Sequence, residues 1–300
     1  MHVSQELYPF KGRYLDIGGH QLHTIDEGKG SPVVMVHGNP SWSFYYRNLA
    51  ASLSHQHRVI VPDHIGCGFS DKPSLEDYPY TLERRVSDFT ELMKRLDLGK
   101  DITLVVHDWG GMIGLAWAVE HAAQVKRIVL LNTGAFPLPE SKKMPWTLSL
   151  VRNTKVGEWL VLGFNAFSRG ATKMAVTRNP MPPEIRDAYC APYDSVENRI
   201  ATLRFVQDIP LSPSDPSWSM VEKTAEKLSV FKETPVLVCW GAKDFVFDDH
   251  FLAEWESRWP HAVVHRFEDC GHYILEDASE EVISRVRDFI QTHPVPAETR

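Results

Sequence analysis

Asp108 occupies the position in this chain best suited to a reactive side chain. The run Val105-Val106-His107-Asp108-Trp109-Gly110-Gly111 reads as a strand ending, a turn with one reactive residue, and a helix that the glycine pair opens and that runs from Met112 to His121. This is the strand–turn–helix setting of a nucleophile elbow, whose sharp turn tolerates only small neighbours on the helix side. The helix N-terminus stabilises negative charge at the turn. An aspartate there is ionised at neutral pH and needs no base to act as nucleophile. It suits displacement at saturated carbon better than acyl transfer to water. Taken alone, such an aspartate could equally be a helix cap. The residues around it decide between the two roles.

Upstream, Val36-His37-Gly38-Asn39-Pro40 closes a strand. Gly38 lets the backbone approach closely, and the Asn39 and Trp109 backbone N–H groups would form an oxyanion hole. Downstream, Cys239-Trp240-Gly241-Ala242-Lys243-Asp244 ends a strand with an acid. Glu268-Asp269-Cys270-Gly271-His272-Tyr273 then ends the next with a histidine. Nucleophile, acid, histidine is the chain order of this elbow type. His272 would activate water against a covalent intermediate, with Asp244 orienting the imidazole. Asp248 and Asp249 compete with Asp244 for the acid role, but they lie just beyond it, and Asp248 stands where a helix beginning near His250 needs a cap. His37, His64 and His107 read as structural hydrogen-bonders.

These residues need a rigid frame. Short β-branched runs (33–36, 59–61, 102–106, 128–131 and 236–240) alternate with helical patterns. That pattern predicts an α/β protein with a largely parallel sheet covered on both faces. Residues 81–98 predict an amphipathic helix with Leu82, Val86, Phe89, Leu92, Met93 and Leu96 on one side and Thr81 as N-cap. Leu15/Ile17 and residues 22–25, around Gly18-Gly19, predict an edge hairpin. From 135 to 228 strand-like runs give way to Pro, Trp, Phe and Met, with helical phases at 183–189 and 195–206. This predicts a helical cap inserted over the sheet's C-terminal edge, where open α/β sheets bind ligands. The expected division is main domain 1–134, cap 135–228 and main domain 229–300. Among the cap aromatics Trp146, Trp159, Phe164, Phe167, Phe205 and Trp218, most would pack the cap onto the main domain, and Phe164 and Phe167 are the ones expected to face substrate.

With 43% hydrophobic and 24% charged residues, the composition is that of an ordinary soluble protein. A net charge of −7 argues against nucleic acid as a partner. No stretch approaches the length of a membrane span, and the N-terminus shows no secretory pattern. Four scattered cysteines without a CxxC pair fit a reduced, cytoplasmic protein. Fourteen histidines without HExxH or HxH spacing give no metal site, and no cofactor is expected.

Along nearly its whole length the chain resembles the haloalkane dehalogenases. The residues that carry the resemblance are His37-Gly38-Asn39-Pro40, the run Pro62-Asp63-His64-Ile65-Gly66-Cys67-Gly68-Phe69-Ser70-Asp71-Lys72-Pro73, the elbow at Asp108, Asp244 and His272. The resemblance implies an α/β-hydrolase fold: a mostly parallel eight-stranded sheet flanked by helices, with a helical cap. It also implies that the Trp109 indole N–H and the Asn39 amide bind a departing halide. Position 132, where one branch of the family carries its acid, is Asn132, so Asp244 is the expected acid, a pattern similar to the third dehalogenase subfamily. The expected reaction is cleavage of a carbon–halogen bond through an ester on Asp108, hydrolysed by His272-activated water. The expected partners are a small apolar substrate and a halide ion, with a homo-oligomer possible. The chain resembles as closely the cis-β-lactone decarboxylase of bacterial olefin biosynthesis, above all at PDHIGCGFSDKP. This alternative shares the same opening attack, with a ring carboxylate leaving later as carbon dioxide. An epoxide hydrolase would need two cap tyrosines, for which Tyr189 and Tyr193 are available, but Val106 and Asn39 depart from that pattern. A non-catalytic binding protein on this fold would lack a member of the triad, and none is missing.

Overall fold

The computed structural model describes residues 3–294. Its main elements in chain order are β1 (Arg13–Ile17), β2 (His20–Glu27), β3 (Pro32–Val36), α1 (Arg47–Leu53), β4 (Arg58–Pro62), α2 (Leu82–Leu96), β5 (Ile102–Asp108), α3 (Trp109–Glu120) and β6 (Val125–Thr133). Six helices follow: α4 (Trp146–Asn153), α5 (Lys155–Phe164), α6 (Ala166–Met174), α7 (Pro183–Cys190), α8 (Ile200–Gln207) and α9 (Trp218–Lys227). Then come β7 (Val236–Gly241), α10 (Asp249–Arg258), β8 (Val263–Phe267), α11 (Ile274–Asp277) and α12 (Ser279–Thr292).

The strands form one sheet in the order β1-β2-β4-β3-β5-β6-β7-β8. β1 pairs antiparallel with β2, and β2 with β4, while every neighbouring pair from β4 to β8 is parallel. The apolar runs explain this placement. Every residue of β3 and β5 is buried, because alternate side chains enter two different cores. Val34, Val36, Leu104 and Val106 join α2 and α3 on one face. Val33, Met35 and Val105 join α1 and α12 on the other. Each such side chain contributes roughly 1.5–3 kcal/mol of burial. β8 is half exposed at the sheet edge, so it lacks the continuous apolar run that marks the other parallel strands. α2 begins where expected: the Thr81 side chain accepts from the Arg84 N–H, and a left-handed Asp97 ends the helix.

The segment between β6 and β7 is helical, but its helices pack in two places. Residues of α4, α5, α6 and α8 form walls of a cavity above the C-terminal ends of β3 and β5. By contrast, α9 packs beside α3, with Val221 and Ala225 in the same core as Ile113 and Trp117. The predicted cap of 135–228 therefore reaches too far. Its last helix belongs to the layer flanking the sheet, because its apolar stripe finds a partner in α3. The expected helix at 195–206 is a 3-10 turn (Glu197–Arg199) followed by α8.

Candidate active site

β5 runs two residues beyond its predicted end, so Asp108 is its last residue and Trp109 the first of α3. The chain reverses direction at Asp108 itself, with φ 51° and ψ −127°. A non-glycine residue in this region costs on the order of 1–3 kcal/mol and persists only where its surroundings enforce it. Two glycines create the room. A Cβ on Gly38 would lie 2.0 Å from Asp108 Oδ1, and one on Gly110 would lie 1.9 Å from the Val36 carbonyl oxygen. The Thr133 hydroxyl donates to the Asp108 carbonyl at 2.5 Å and fixes the turn from β6.

The carboxylate is held as an elbow requires. The Asn39 backbone N–H donates to Asp108 Oδ1 at 2.6 Å, and the Trp109 N–H donates as well. On the other side His272 Nε2 lies 3.5 Å from Asp108 Oδ2. His272 Nδ1 meets Asp244 Oδ2 at 2.6 Å, and the other Asp244 oxygen accepts the Val246 N–H at 2.7 Å. Phe247 stacks on the imidazole with 5.9 Å between ring centroids. Burial pushes the Asp108 carboxyl up to about 6, against the opposing pull of the His272 charge and the two N–H donors. For His272 burial acts downward, but the charge and hydrogen bond of Asp244, helped by Asp108, overcome it and raise the imidazole above its usual range. The geometry brings a buried carboxylate at the elbow against a hydrogen-bonded His–Asp pair.

Asp248 caps α10 through the His250 N–H and pairs with Lys142 at 2.5 Å, and Asp249 pairs with Arg266, so neither acid meets His272. Asn132 is a clasp. Its oxygen accepts the Gly241 N–H at 2.7 Å, and its nitrogen donates to the carbonyls of Gly241 and Phe247 at 3.0 and 3.3 Å. It thereby ties the end of β6 to the end of β7, three residues before Asp244. Asn132→Ala strands these buried groups and should cost roughly 2–4 kcal/mol, read as a lower urea midpoint. Turnover per folded molecule should change only a few-fold.

His37 and His64 bond one another's backbone: His37 Nε2 accepts the His64 N–H at 3.1 Å, and His64 Nε2 lies 2.9 Å from the His37 carbonyl. His107 Nε2 lies 2.9 Å from the His272 carbonyl. Burial lowers all three imidazoles, which suits uncharged structural roles.

Above the carboxylate lies a cavity of about 320 Å³. Asn39, Asp108, Trp109 and His272 form its floor, and residues such as Leu148, Val151, Leu160, Phe167, Met174, Ile209, Phe247 and Phe251 form its walls. Phe167 faces it as expected. Phe164 does not: it is 52% exposed and packs edge-on against Trp159, 4.6 Å away, beyond the end of the cavity. It shares a helix face with the lining residue Leu160, but one turn further along the wall has ended. Trp146 lies at the rim, while Trp159, Phe205 and Trp218 are not part of the lining.

The Trp109 indole N–H has no acceptor among the described residues, and its ring borders the cavity. The Asn39 side chain is partly committed. Its Nδ2 donates to the Thr202 carbonyl of α8 at 3.0 Å, which leaves one N–H for a ligand. Phe205, on the same helix, packs edge-on against Trp109 at 5.2 Å. Tyr189 donates to Glu276 and Tyr193 to the Ser41 carbonyl. Neither tyrosine lines the cavity, so the paired phenols that epoxide opening needs are not there.

Such an elbow, beneath a helical cover on a mostly parallel sheet, defines an α/β hydrolase. The pattern of the α/β-hydrolase fold matches residues 31–279, and the chain belongs to that family. Among curated proteins it is 56% identical to the cis-3-alkyl-4-alkyloxetan-2-one decarboxylase of Shewanella oneidensis, over 95% of this chain and 89% of that protein. It is 48% identical to the protein of the same name from Xanthomonas campestris pv. campestris, over 96% and 98% of the two chains. A haloalkane dehalogenase of Mycolicibacterium paratuberculosis is 32% identical, over 95% and 94%. Among solved structures, a haloalkane dehalogenase from Agrobacterium tumefaciens C58 superposes with a TM-score of 0.86 at 24% identity, covering 97% of this chain and all of that one.

Proposed function

We propose that this protein decarboxylates cis-3,4-dialkyl β-lactones to cis alkenes, with Asp108 as nucleophile. One observation carries the choice of reaction: 56% and 48% identity to two proteins named for this activity, against 32% for a dehalogenase. This reverses the order expected from the sequence, which put carbon–halogen cleavage first. The apolar walls suit a substrate whose only polar part is its ring.

The steps balance without water or added protons. An Asp108 oxygen attacks ring carbon C4 from the side opposite the ring oxygen. The C4–O bond breaks, and the released carboxylate meets the Trp109 indole N–H and the free N–H of Asn39. Inversion at C4 leaves the new ester bond antiparallel to the bond between C3 and the carboxylate. That C–C bond then breaks, its electrons form the C3–C4 double bond, carbon dioxide leaves, and the ester bond returns its electron pair to Asp108. Inversion followed by anti elimination keeps both alkyl groups on one side. His272, held by Asp244 and raised by it toward the protonated form, favours ionised Asp108.

The unpaired Trp109 N–H favours dehalogenation as the second reading, since a halide leaving a dry cavity needs such a donor. Purified enzyme offered a cis-3-alkyl-4-alkyloxetan-2-one and, separately, 1-bromobutane distinguishes the two. Gas chromatography should find one cis alkene per lactone consumed, with bromide released much more slowly. Bromide release with no alkene from the lactone would overturn the proposal.

A further inference from the structure

The cover of the cavity carries apolar surface on its outside as well. Trp146 is 76% exposed, and Val156, Trp159, Phe164 and Met174 are each more than half exposed. All five lie on α4, α5 and α6, which pack in series. Two of them, Trp146 and Met174, also line the cavity, so its apolar interior continues onto the outer surface at these residues. Isolated exposed hydrophobics are ordinary, but a cluster at the mouth of an apolar cavity marks an interaction site.

Charge indicates the occupant. Between Glu140 and Met174, Lys142 and Arg152 are neutralised by Asp248 and Asp215 from outside the segment. This leaves Lys143, Lys155, Arg169 and Lys173 against only Glu140 and Glu158, a local net of +2 in a chain of −7. Lys155 lies one turn from Trp159 on the same helix face, and Lys173 adjoins Met174. Exposed tryptophans beside lysines, on helices that wall the cavity, suit the boundary between anionic headgroups and acyl chains. Basic residues near such a surface add attraction that salt screens.

We infer that the outer face of α4–α6 docks on an anionic phospholipid surface and opens the cavity mouth toward its hydrocarbon. An apolar substrate could then enter, and product leave, without crossing water. The inference needs only the apolar cavity and does not depend on which bond Asp108 breaks.

Flotation of the full chain with vesicles of phosphatidylcholine alone, or with 40% phosphatidylglycerol by design, tests it. The protein should float with the anionic vesicles at least about tenfold more strongly than with neutral ones, and 0.5 M salt should release it. The pairs Trp159→Ser/Phe164→Ser and Lys155→Glu/Lys173→Glu should each weaken flotation by about tenfold or more. Both pairs lie outside the catalytic set, so turnover of a short, water-soluble lactone or of 1-bromobutane should not change. Absence of flotation, or equal binding to neutral vesicles, would overturn the proposal. So would a doubled mass in light scattering that Trp159→Ser/Phe164→Ser abolishes, because the face would then belong to a second copy of the chain.

Discussion

The Asp108→Asn variant should lose turnover by roughly 10⁴-fold or more and yet unfold at a higher temperature than the parent. The loss follows from removing the attacking oxygen's charge, since an amide neither displaces a leaving group nor returns as one. The gain follows from burial. Burial in the folded protein raises the carboxyl from its ordinary value near 3.8 to about 6, so the unfolded chain ionises it more readily than the folded one. For an acid shifted upward the effect destabilises. It is absent below about pH 4, grows as pH rises through the interval, and is complete above about 6, where it amounts to on the order of 3 kcal/mol. Asparagine escapes this cost while its oxygen still accepts the N–H that Asp108 Oδ1 accepts from Asn39. Thermal unfolding at pH 8 should therefore show a midpoint several degrees higher for the variant, and the gap should close as the pH is lowered to 4. Equal midpoints at pH 8 would mean that the elbow carries no electrostatic strain.

Residues whose role is set by nearby sequence were legible from sequence alone. The elbow was readable because strand, reactive residue and glycine pair are contiguous. The placement of Asp244 beside His272 and of Asp248 at a helix start was readable because the one follows a recognisable strand and the other precedes a helix. The parallel strands showed themselves by burial on both faces, whereas half-exposed β8 did not. What escaped depends on packing between distant segments. Thr202 lies 163 residues from the Asn39 amide it engages, and Phe205, which backs Trp109, reads in sequence as one cap aromatic among several. Phe164 shares a periodicity with true lining residues, and only the extent of the cavity separates it from Phe167. The attachment of α9 to α3 escaped for the same reason, since an amphipathic helix does not name the partner of its apolar stripe. Asn132 shows a subtler limit. Sequence showed that it could not be the acid, but its clasp across β6 and β7 required the fold.

Replacing His272 by alanine should divide the two reactions that Asp108 can begin. With 1-bromobutane the attack itself needs no base, so the variant should release about one bromide per active site and then stop, because nothing activates water against the ester. Intact-protein mass spectrometry should find a butyl group on the chain, and a peptide map should place it on Asp108. With a cis β-lactone the same variant should accumulate no adduct, because the ester collapses by loss of carbon dioxide without water. Its defect should be electrostatic. The His272 charge is the leading influence holding the Asp108 carboxyl down against burial, so without it the carboxyl rises further. The parent should gain activity as pH climbs through about 6, where its nucleophile ionises. In the variant this limb should move to higher pH, so alkene formation is depressed at neutrality and partly restored by alkali. A lactone-derived adduct that persists in His272→Ala would show that collapse of the ester requires the imidazole, and the elimination step would have to be replaced by one in which His272 moves a proton.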